Sequence, residues 1–435
     1  MNLNVYCRGM LAGKLDMQDG EPFYGFVYDG FYLSDPSSEP LSLSLPLCSE
    51  RYSGRSAMPF FEGLLPEGDS RASLAQRLGI SERSPAKLLR VLGKDCAGDV
   101  AVLEEDDPYQ PPAIDAYAFL EGGLAAIAEN PFEKITELRT ENRLSLAGGQ
   151  EKIALYHDAR SPIGEGWYVP LEGSPSTHIV KPQLNDRYPL LALNEFLCMK
   201  LAEKVGLSVA ETYYLDLPTP MVVVERFDRE PSGVNSSEGL VLMRRIRQED
   251  ACQALGRTSA EKYQQDGGPG IRELNSILLH HAENYLKDRV HLTRLVVFNY
   301  LIGNCDAHAK NFSFFLRARS AIRIAPAYDL ISTSVYGRGF GSELSRTMGM
   351  RIGSHANIDN VTHADFETLA EDLDMRTDDI LSYAREVSKI LLDTKKLAKD
   401  LALDASFGSK DADVLVQRLF SGIEKRSSTL YENQR

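Results

Sequence analysis

The chain has 435 residues, enough for two or three packed units, and an ordinary globular balance of 43% apolar and 25% charged residues. Its 48 basic and 62 acidic residues give a net charge of −14, which argues against a protein that wraps nucleic acid by itself. The sequence shows no apolar run of the roughly 18–20 residues that a membrane span needs, no leader pattern and no CxxC pair. We therefore expect a cytoplasmic protein without membrane association, whose six cysteines are buried free thiols.

The first part of the chain mixes short strands, helices and turns. Alternating apolar residues predict strands over 24–28 and 100–103, and helical patterns are predicted over 70–78, 84–92 and 114–129. The acidic, proline-rich stretch 104–112 is the clearest linker-like change of composition.

Further along the chain, strands give way to helices. The predicted strands cover 153–156, 178–181 and 221–224, with an amphipathic helix over 193–205 that Gly206 ends and a polar loop over 232–239. Helical patterns dominate from there to the C-terminus, except for short strands at 312–316 and 322–325. Strands first and helices afterwards indicate an α+β fold with a helical second half.

The strongest chemical signal is the segment 304–311, N-C-D-A-H-A-K-N, between an apolar helix that ends at Gly303 and a predicted strand. Asp306 and Asn311 have the separation found in the catalytic loop of protein kinases. In that loop the aspartate accepts the substrate hydroxyl proton and the asparagine holds a magnesium ion. The same pair would also suit a capping or Asx-turn cluster, and His308 would suit a buried core histidine.

Three single residues extend this kinase-like pattern. Asp329 follows two short strands, as the second metal-binding aspartate of a kinase does, although a helix N-cap is the alternative. Lys181 ends a predicted strand and could reach nucleotide phosphates. Glu195 on the next helix is a candidate ion-pair partner, although Glu203 and Glu211 are also nearby. The alternative for Lys181 is a solvated lysine at the end of a strand.

Two short segments complete the pattern. The glycine turn 147–152 could bring backbone N–H groups close to phosphate oxygens, although it matches no standard phosphate loop and glycine pairs also form ordinary turns. Residues 225–227 follow a buried strand, where a kinase hinge binds adenine through backbone groups. These features occur in the order found in kinases, which favours a phosphoryl-transfer site over separate structural roles.

Longer motifs occur along almost the whole chain, at 61–68, 92–99, 145–152, 224–229, 249–256, 266–270, 306–311 and 328–330. They resemble the HipA family, the serine/threonine-kinase toxins of bacterial toxin–antitoxin modules. The strings S-x-A-G-x-Q-E-K and D-x-H-x-K-N are the most specific. The resemblance implies a protein-kinase-like α+β fold, with an α/β N-terminal subdomain over 1–140 and a kinase-like, mainly helical region over 141–435.

The resemblance also implies a role for each matched residue. Asp306 would be the catalytic aspartate, Asn311 and Asp329 would hold Mg²⁺, and Ser145 would be autophosphorylated, which would inactivate the enzyme. The residues implied to bind ATP are Ala147, Gly148, Gly149, Gln150, Glu151, Lys152, Lys181, Glu225, Arg226, Phe227, His308, Tyr328 and Asp329.

By the same resemblance, we expect an ATP-dependent kinase that phosphorylates a translation-related protein such as glutamyl-tRNA synthetase. Its implied partner is a small HipB-like helix-turn-helix antitoxin, through which it would contact operator DNA. The alternatives are a kinase of the same fold with another substrate and a catalytically silent corepressor. The intact set of Lys181, Asp306, Asn311 and Asp329 argues against the silent corepressor.

Overall fold

The computed structural model describes residues 2–16, 24–94, 96–107, 116–141, 147–171, 173–235, 239–317, 321–406 and 409–431. The chain divides into two compact units. Unit 1 comprises Met1–Pro182, Val224–Ser259 and Phe314–Ala321, and unit 2 comprises Gln183–Val223, Ala260–Ser313 and Ile322–Arg435. The predicted boundary between 1–140 and 141–435 stays a prediction.

The strands are short and are distributed along the chain as far as residue 357. In chain order they are β1 (Leu3–Cys7), β2 (Met10–Asp16), β3 (Gly25–Tyr28), β4 (Val100–Glu104), β5 (Tyr117–Phe119), β6 (Ile153–His157), β7 (Trp167–Pro170), β8 (His178–Pro182), β9 (Thr212–Leu215), β10 (Met221–Glu225), β11 (Arg229–Asn235), β12 (Val241–Arg245), β13 (Gln248–Asp250), β14 (Ser313–Leu316), β15 (Ile322–Ile324), β16 (Thr347–Ile352) and β17 (His355–Asn357).

The longest helices lie in the second half. In chain order the helices are α1 (Gly30–Ser34), α2 (Gly54–Glu62), α3 (Gly68–Leu78), α4 (Pro85–Leu92), α5 (Gly123–Glu129), α6 (Pro131–Glu141), α7 (Leu191–Lys204), α8 (Ala251–Ala254), α9 (Ile271–His281), α10 (Tyr285–Ile302), α11 (Asp365–Asp372), α12 (Thr377–Asp393), α13 (Lys395–Ser406) and α14 (Lys410–Thr429).

Unit 1 contains an antiparallel sheet in the order β3-β2-β1-β4 and a second antiparallel group in the order β5-β7-β6-β8. Helix α2, which the Ser53 hydroxyl caps, buries its apolar face against the first sheet. The rings of Phe26 and Phe61 lie 5.5 Å apart there, so the core of this part is aromatic.

A buried carboxyl ties the segment after β12 to the N-terminal part of unit 1. Glu249 accepts hydrogen bonds from the Ser42 hydroxyl and from the Leu43 N–H, the latter at 2.9 Å. Nearby, Gln253 donates to the Phe60 carbonyl at 3.0 Å and its own carbonyl accepts from Ser44. Burial raises the pKa of Glu249 to about 7, because the charged form loses its hydration.

Unit 2 is built around α10, whose second half is almost entirely buried. The Asn284 side chain caps its first turn, and Gly303 ends it in the left-handed conformation, at φ 77°. The C-terminal helices α12 and α14 pack against it and are joined to each other by the Ser388–Ser427 hydroxyl pair at 2.8 Å. This packing gives the loop that leaves α10 a rigid base.

Most of the predicted elements are confirmed. Strands β3, β4, β6, β8, β10, β14 and β15 and helices α3, α4, α7 and α10 agree with prediction to within a few residues. Pro85 begins α4 as expected, and Gly206 follows α7 in the left-handed conformation, at φ 78°. The linker predicted at 104–112 lies largely outside the described residues.

Two predictions were wrong. The helix over 114–129 begins only at Gly123, and Tyr117–Phe119 form β5 instead, where the Phe119 ring packs on Tyr168 across the strand pair at 5.4 Å. The polar loop over 232–239 starts inside β11, which pairs with β12. No prediction covered β1, β2, β7, β9, β12, β13, β16 or β17, which are three to seven residues long. Segments this short carry little periodicity.

The cysteine prediction is nearly confirmed, since all six are free and five are buried, with Cys48 half-buried. In the described part of the chain, none of the helices combines the length and the apolar character needed to cross a membrane.

We predict that Glu249→Gln changes how stability depends on pH. Because the folded pKa of Glu249 is raised from 4.5 to about 7, the folded state binds more protons than the unfolded state between these values, so stability contributed by this group falls as pH rises through that window. Relative to the wild type, the free energy of unfolding of Glu249→Gln should therefore increase from pH 4.5 to 7, as measured by denaturant unfolding. In the exposed control Glu165→Gln the difference should stay constant, and a pH-independent difference for Glu249→Gln would contradict the prediction.

Candidate functional site

The segment 304–311 leaves the C-terminal end of α10 in a fixed conformation. The Asn304 side chain donates to the Asn299 side chain at 2.8 Å and accepts from the Asp306 N–H at 3.1 Å. The Cys305 N–H donates to the Thr333 hydroxyl at 2.8 Å. The backbone on both sides of Asp306 is thus anchored, and the segment closes with a short 3₁₀ turn over Ala309–Asn311.

Asp306 itself is exposed. Its carboxylate accepts a hydrogen bond of 2.6 Å from the Tyr263 hydroxyl. The Tyr263 ring stands edge-on to the buried His308 ring, with centroids 5.0 Å apart. The predicted catalytic aspartate is therefore accessible and oriented, and His308 is a packed ring beside it.

Asn311 and Asp329 are the predicted metal ligands, and hydrogen bonds join the segments that carry them. The Tyr328 hydroxyl donates to the Lys310 carbonyl at 2.6 Å and pairs with the Ser313 hydroxyl at 2.7 Å. Asp329 has a φ of 53°, a left-handed conformation that few residues other than glycine adopt. Local backbone strain of this kind is common at functional sites.

The segment after Asp329 is locked to the end of α10 by small polar side chains. The Ser332 hydroxyl donates to the Ile302 carbonyl at 2.5 Å, and the Thr333 hydroxyl donates to the Gly303 carbonyl at 3.1 Å. Asn194 of α7 makes two hydrogen bonds to the backbone of Ser332, at 2.9 and 3.0 Å. The segments of Asp306 and Asp329 therefore share one support.

A buried cation completes that support. Arg426 of α14 donates to the Leu301 carbonyl at 2.9 Å, at the helix end that favours positive charge. Burial lowers the pKa of Arg426 to about 10, so it stays protonated at neutral pH. The sequence alone did not indicate Arg426, Asn194, Ser332 or Thr333, because single polar residues on helices and loops carry no spacing signal.

The side chain of Asn311 is suited to hold a magnesium ion. Its side-chain oxygen is buried and has no hydrogen-bond partner among the described residues, so it is an acceptor that a cation could satisfy. The described residues contain no cluster of three or more His, Cys, Asp or Glu suited to a metal. Magnesium bound with a nucleotide needs only one or two protein ligands, since water and phosphate oxygens supply the others.

Unit 1 carries the predicted phosphate lysine. Lys181 lies on β8, whose residues pair with β6 in the register Ile153↔Val180, and only 4% of it is exposed. A solvated strand-end lysine would be largely exposed, so that alternative is wrong. Glu195, its predicted partner, is a buried residue of α7 in unit 2.

The glycine turn 147–152 is anchored within unit 1. The Gly148 carbonyl accepts from the Glu67 N–H at 3.1 Å, and Gly148 has a φ of 103° that favours glycine. Glu151 forms an ion pair of 3.0 Å with the buried Arg139. The Glu151 carboxylate thus holds the turn in place, while Gly149 is exposed.

The hinge-like segment 225–227 is held by a buried ion pair. The Arg226 guanidinium donates two hydrogen bonds to the Asp228 carboxylate, at 2.8 and 2.9 Å. The backbone N–H of Arg226 donates to the Thr177 carbonyl at 2.8 Å. Burial by itself would raise the pKa of Asp228, but Arg226 and Arg229 outweigh it and hold the pKa below its usual value. The Arg226 side chain is therefore structural.

Three further residues of the prediction remain to be placed, Phe227, Glu225 and Ser145. The Phe227 ring lies 5.7 Å from that of Phe315 within unit 1, and Glu225 is exposed at the end of β10. Ser145, the predicted autophosphorylation site, lies outside the described residues, so its modification stays a prediction.

Family models match both parts of the chain. The HipA N-terminal domain matches residues 3–103, and the HipA-like C-terminal domain matches residues 144–395.

Individual relatives agree with these models. A protein of Sinorhizobium fredii named as a proposed kinase, Y4mE, is 35% identical over 419 residues, which cover 92% of this chain and 94% of the relative. The serine/threonine-protein kinase toxin HipA of Shewanella oneidensis is 32% identical over 339 residues, 74% of each chain.

A solved structure shows the same fold. It is that of the Shewanella oneidensis MR-1 toxin–antitoxin complex of HipA, HipB and operator DNA, which matches with a TM-score of 0.79 and 24% identity over 98% of this chain and 97% of the other. The predicted protein-kinase-like, HipA-like α+β fold is thereby confirmed.

We predict that Gly303→Ala destabilises the support of the site. The left-handed conformation costs a residue with a Cβ roughly 1–2 kcal/mol. The added Cβ would also overlap the Ser334 hydroxyl and approach Arg426 to 2.6 Å. We expect a loss of at least about 2 kcal/mol in the free energy of unfolding, measured by denaturant titration.

Gly339→Ala is the matched control for that variant. Gly339 has a similar φ of 84°, and a Cβ there would meet no atom within 4 Å. Its substitution should cost about 1 kcal/mol, the backbone contribution alone. Equal losses in the two variants would contradict the role given to the packing around Gly303.

Proposed function

Because the chain belongs to the HipA family, we propose that it is an ATP- and magnesium-dependent serine/threonine-protein kinase that acts as a growth-arresting toxin. The observation that carries the proposal is the shared support of Asp306, Asn311 and Asp329 at the end of α10. Phosphoryl transfer needs little covalent chemistry from the protein. It depends on groups held in position, and a rigid base for two acidic segments provides this.

Each residue has a distinct part in the proposed reaction. Asp306 accepts the proton of the substrate serine or threonine hydroxyl, for which its exposed carboxylate is suited. Lys181 contributes a positive charge to the ATP phosphates. Asn311 and Asp329 hold magnesium, which neutralises charge on the phosphate oxygens when it is bound. The backbone of 147–152 and of 225–227 lines the phosphates and the adenine.

The proposed substrate is a translation-related protein such as glutamyl-tRNA synthetase, and the proposed regulation is autophosphorylation of Ser145. A phosphate on Ser145 would add about −1.5 to −2 charges beside the turn 147–152. Like charge on ATP would then be repelled from the turn. Intact mass and ATP affinity after incubation with Mg-ATP test this regulation, and phosphoproteomics after brief expression identifies the target. A phosphate on Ser145 with unchanged ATP affinity would exclude the mechanism.

We predict that three substitutions separate the proposed roles. Asp306→Ala should abolish transfer of label from γ-labelled ATP but retain Mg-ATP binding, because it removes only the base. Asp329→Ala should abolish transfer and weaken Mg-ATP binding, because it removes a metal ligand. Lys181→Met should weaken nucleotide binding or turnover by well over tenfold, as measured by titration with a nucleotide analogue.

Exposed residues supply the matched controls. Asp378→Ala and Lys396→Met make the same changes on the surface of α12 and α13, and both should behave as the wild type. Transfer at the wild-type rate by Asp306→Ala and Asp329→Ala would reject the assignment. No transfer by the wild-type chain would favour the catalytically silent corepressor instead.

We further propose a small helix-turn-helix antitoxin of the HipB type as partner, with operator DNA bound through it. Support comes from the related HipA, whose structure contains HipB and operator DNA. The net charge of −14 repels DNA phosphate, so the chain alone should bind operator DNA weakly at physiological salt. Adding the antitoxin should restore binding in a gel-shift assay, whereas tight, salt-resistant binding by the chain alone would contradict the proposal.

A further inference from the structure

The segment 260–270 of unit 2 lies directly on the segment that carries Asp306. The Lys262 carbonyl accepts a hydrogen bond of 3.1 Å from the Ala309 N–H, and the Tyr263 hydroxyl donates to the Asp306 carboxylate at 2.6 Å. The Gln264 side chain accepts from the Arg351 N–H at 2.7 Å. Hydrogen bonds to both sequence neighbours of Tyr263, Lys262 and Gln264, therefore fix its position.

The D-G-G-P-G motif at 266–270 explains why the segment holds this shape. The Gly268 N–H donates to the Tyr263 carbonyl at 3.0 Å, which closes a tight turn. A Cβ on Gly268 would overlap the Glu261 carbonyl and lie 2.8 Å from that of Tyr263, and Gly267 has a φ of 89°. The two glycines thus permit the turn that fixes the backbone of Tyr263.

Asp306 needs such a contact because its side chain is exposed. An exposed carboxylate samples several rotamers, and a general base is effective only in the one that meets the substrate hydroxyl. The phenol donor ties one carboxylate oxygen and leaves the other for the substrate. The edge-on packing against His308 holds the Tyr263 ring in turn.

We propose that Tyr263 is a positioning residue, which orients the Asp306 carboxylate for proton transfer through the hydrogen bond from its hydroxyl. This inference rests on the proposed kinase function and adds to it. It assigns the D-G-G-P-G motif a role in building the active site. Tyr263 contacts the proposed base through its hydroxyl.

Tyr263→Phe tests the proposal, because it removes the hydroxyl and keeps the ring that packs on His308. We expect kcat for phosphorylation to fall about tenfold, since a misplaced reacting group costs rate rather than nucleotide affinity. The KM for ATP and the melting temperature should stay at their wild-type values. A purely structural tyrosine would instead lower the melting temperature, or change KM and kcat together.

Tyr285→Phe is the matched control. The Tyr285 hydroxyl donates a hydrogen bond of 3.3 Å to the Asn275 side chain, which is not part of the proposed site. An unchanged or increased kcat in Tyr263→Phe, with an active wild type, would overturn this inference and leave the kinase function standing. An inactive wild type would overturn the kinase function itself. The carboxyl ¹³C resonance of Asp306, assigned with Asp306→Asn, gives an independent measurement. It should move in Tyr263→Phe and not in Tyr285→Phe, and an unmoved resonance would show that the contact is absent in solution.

Discussion

The end of α10 organises unit 2, because the last carbonyl groups of a helix have no partners within the helix itself. Here the carbonyls of Leu301, Ile302 and Gly303 accept from Arg426, Ser332 and Thr333, three side chains that come from elsewhere in the chain. Satisfying these carbonyls therefore also fixes the segment that follows Asp329. The segment that carries Asp306 begins directly after the same helix end. The positions of Asp306 and Asp329 therefore both depend on the last backbone groups of α10.

In unit 1, buried ion pairs hold the backbone of the predicted nucleotide-binding segments in place. Arg226, Asp228 and Arg139 are each almost fully buried, and each is paired by hydrogen bonds or an ion pair, which offsets the cost of removing it from water. These pairs fix the backbone at 225–227 and at the glycine turn. Lys181 is likewise buried, on β8, and lysine is rarely buried unless it is paired.

The sequence was informative where chemistry and spacing coincide, and less so elsewhere. The position of Asp306 and Asn311 on a short segment between a buried helix and a buried strand was predictable, and their roles stay predictions. Helix α10 was predictable from its apolar residues and Gly303. The strand β5 was not, because Tyr117 and Phe119 become strand residues through pairing with β7, a contact remote in sequence. The same holds for Asn194 and Arg426, which reach the site only through tertiary packing.

The contact between Tyr263 and Asp306 could not be predicted from the sequence either. It lies 43 residues before Asp306, and the hydrogen bond between them depends on a turn that two glycines permit. The motif that follows Tyr263 was visible in the sequence, yet nothing in its spacing relates it to the aspartate. Its glycines are needed for backbone geometry, and the hydrogen bond to Asp306 comes from a neighbouring residue outside the motif. A motif can therefore mark a functional residue next to it, which becomes apparent only when the fold shows which side chain the turn presents.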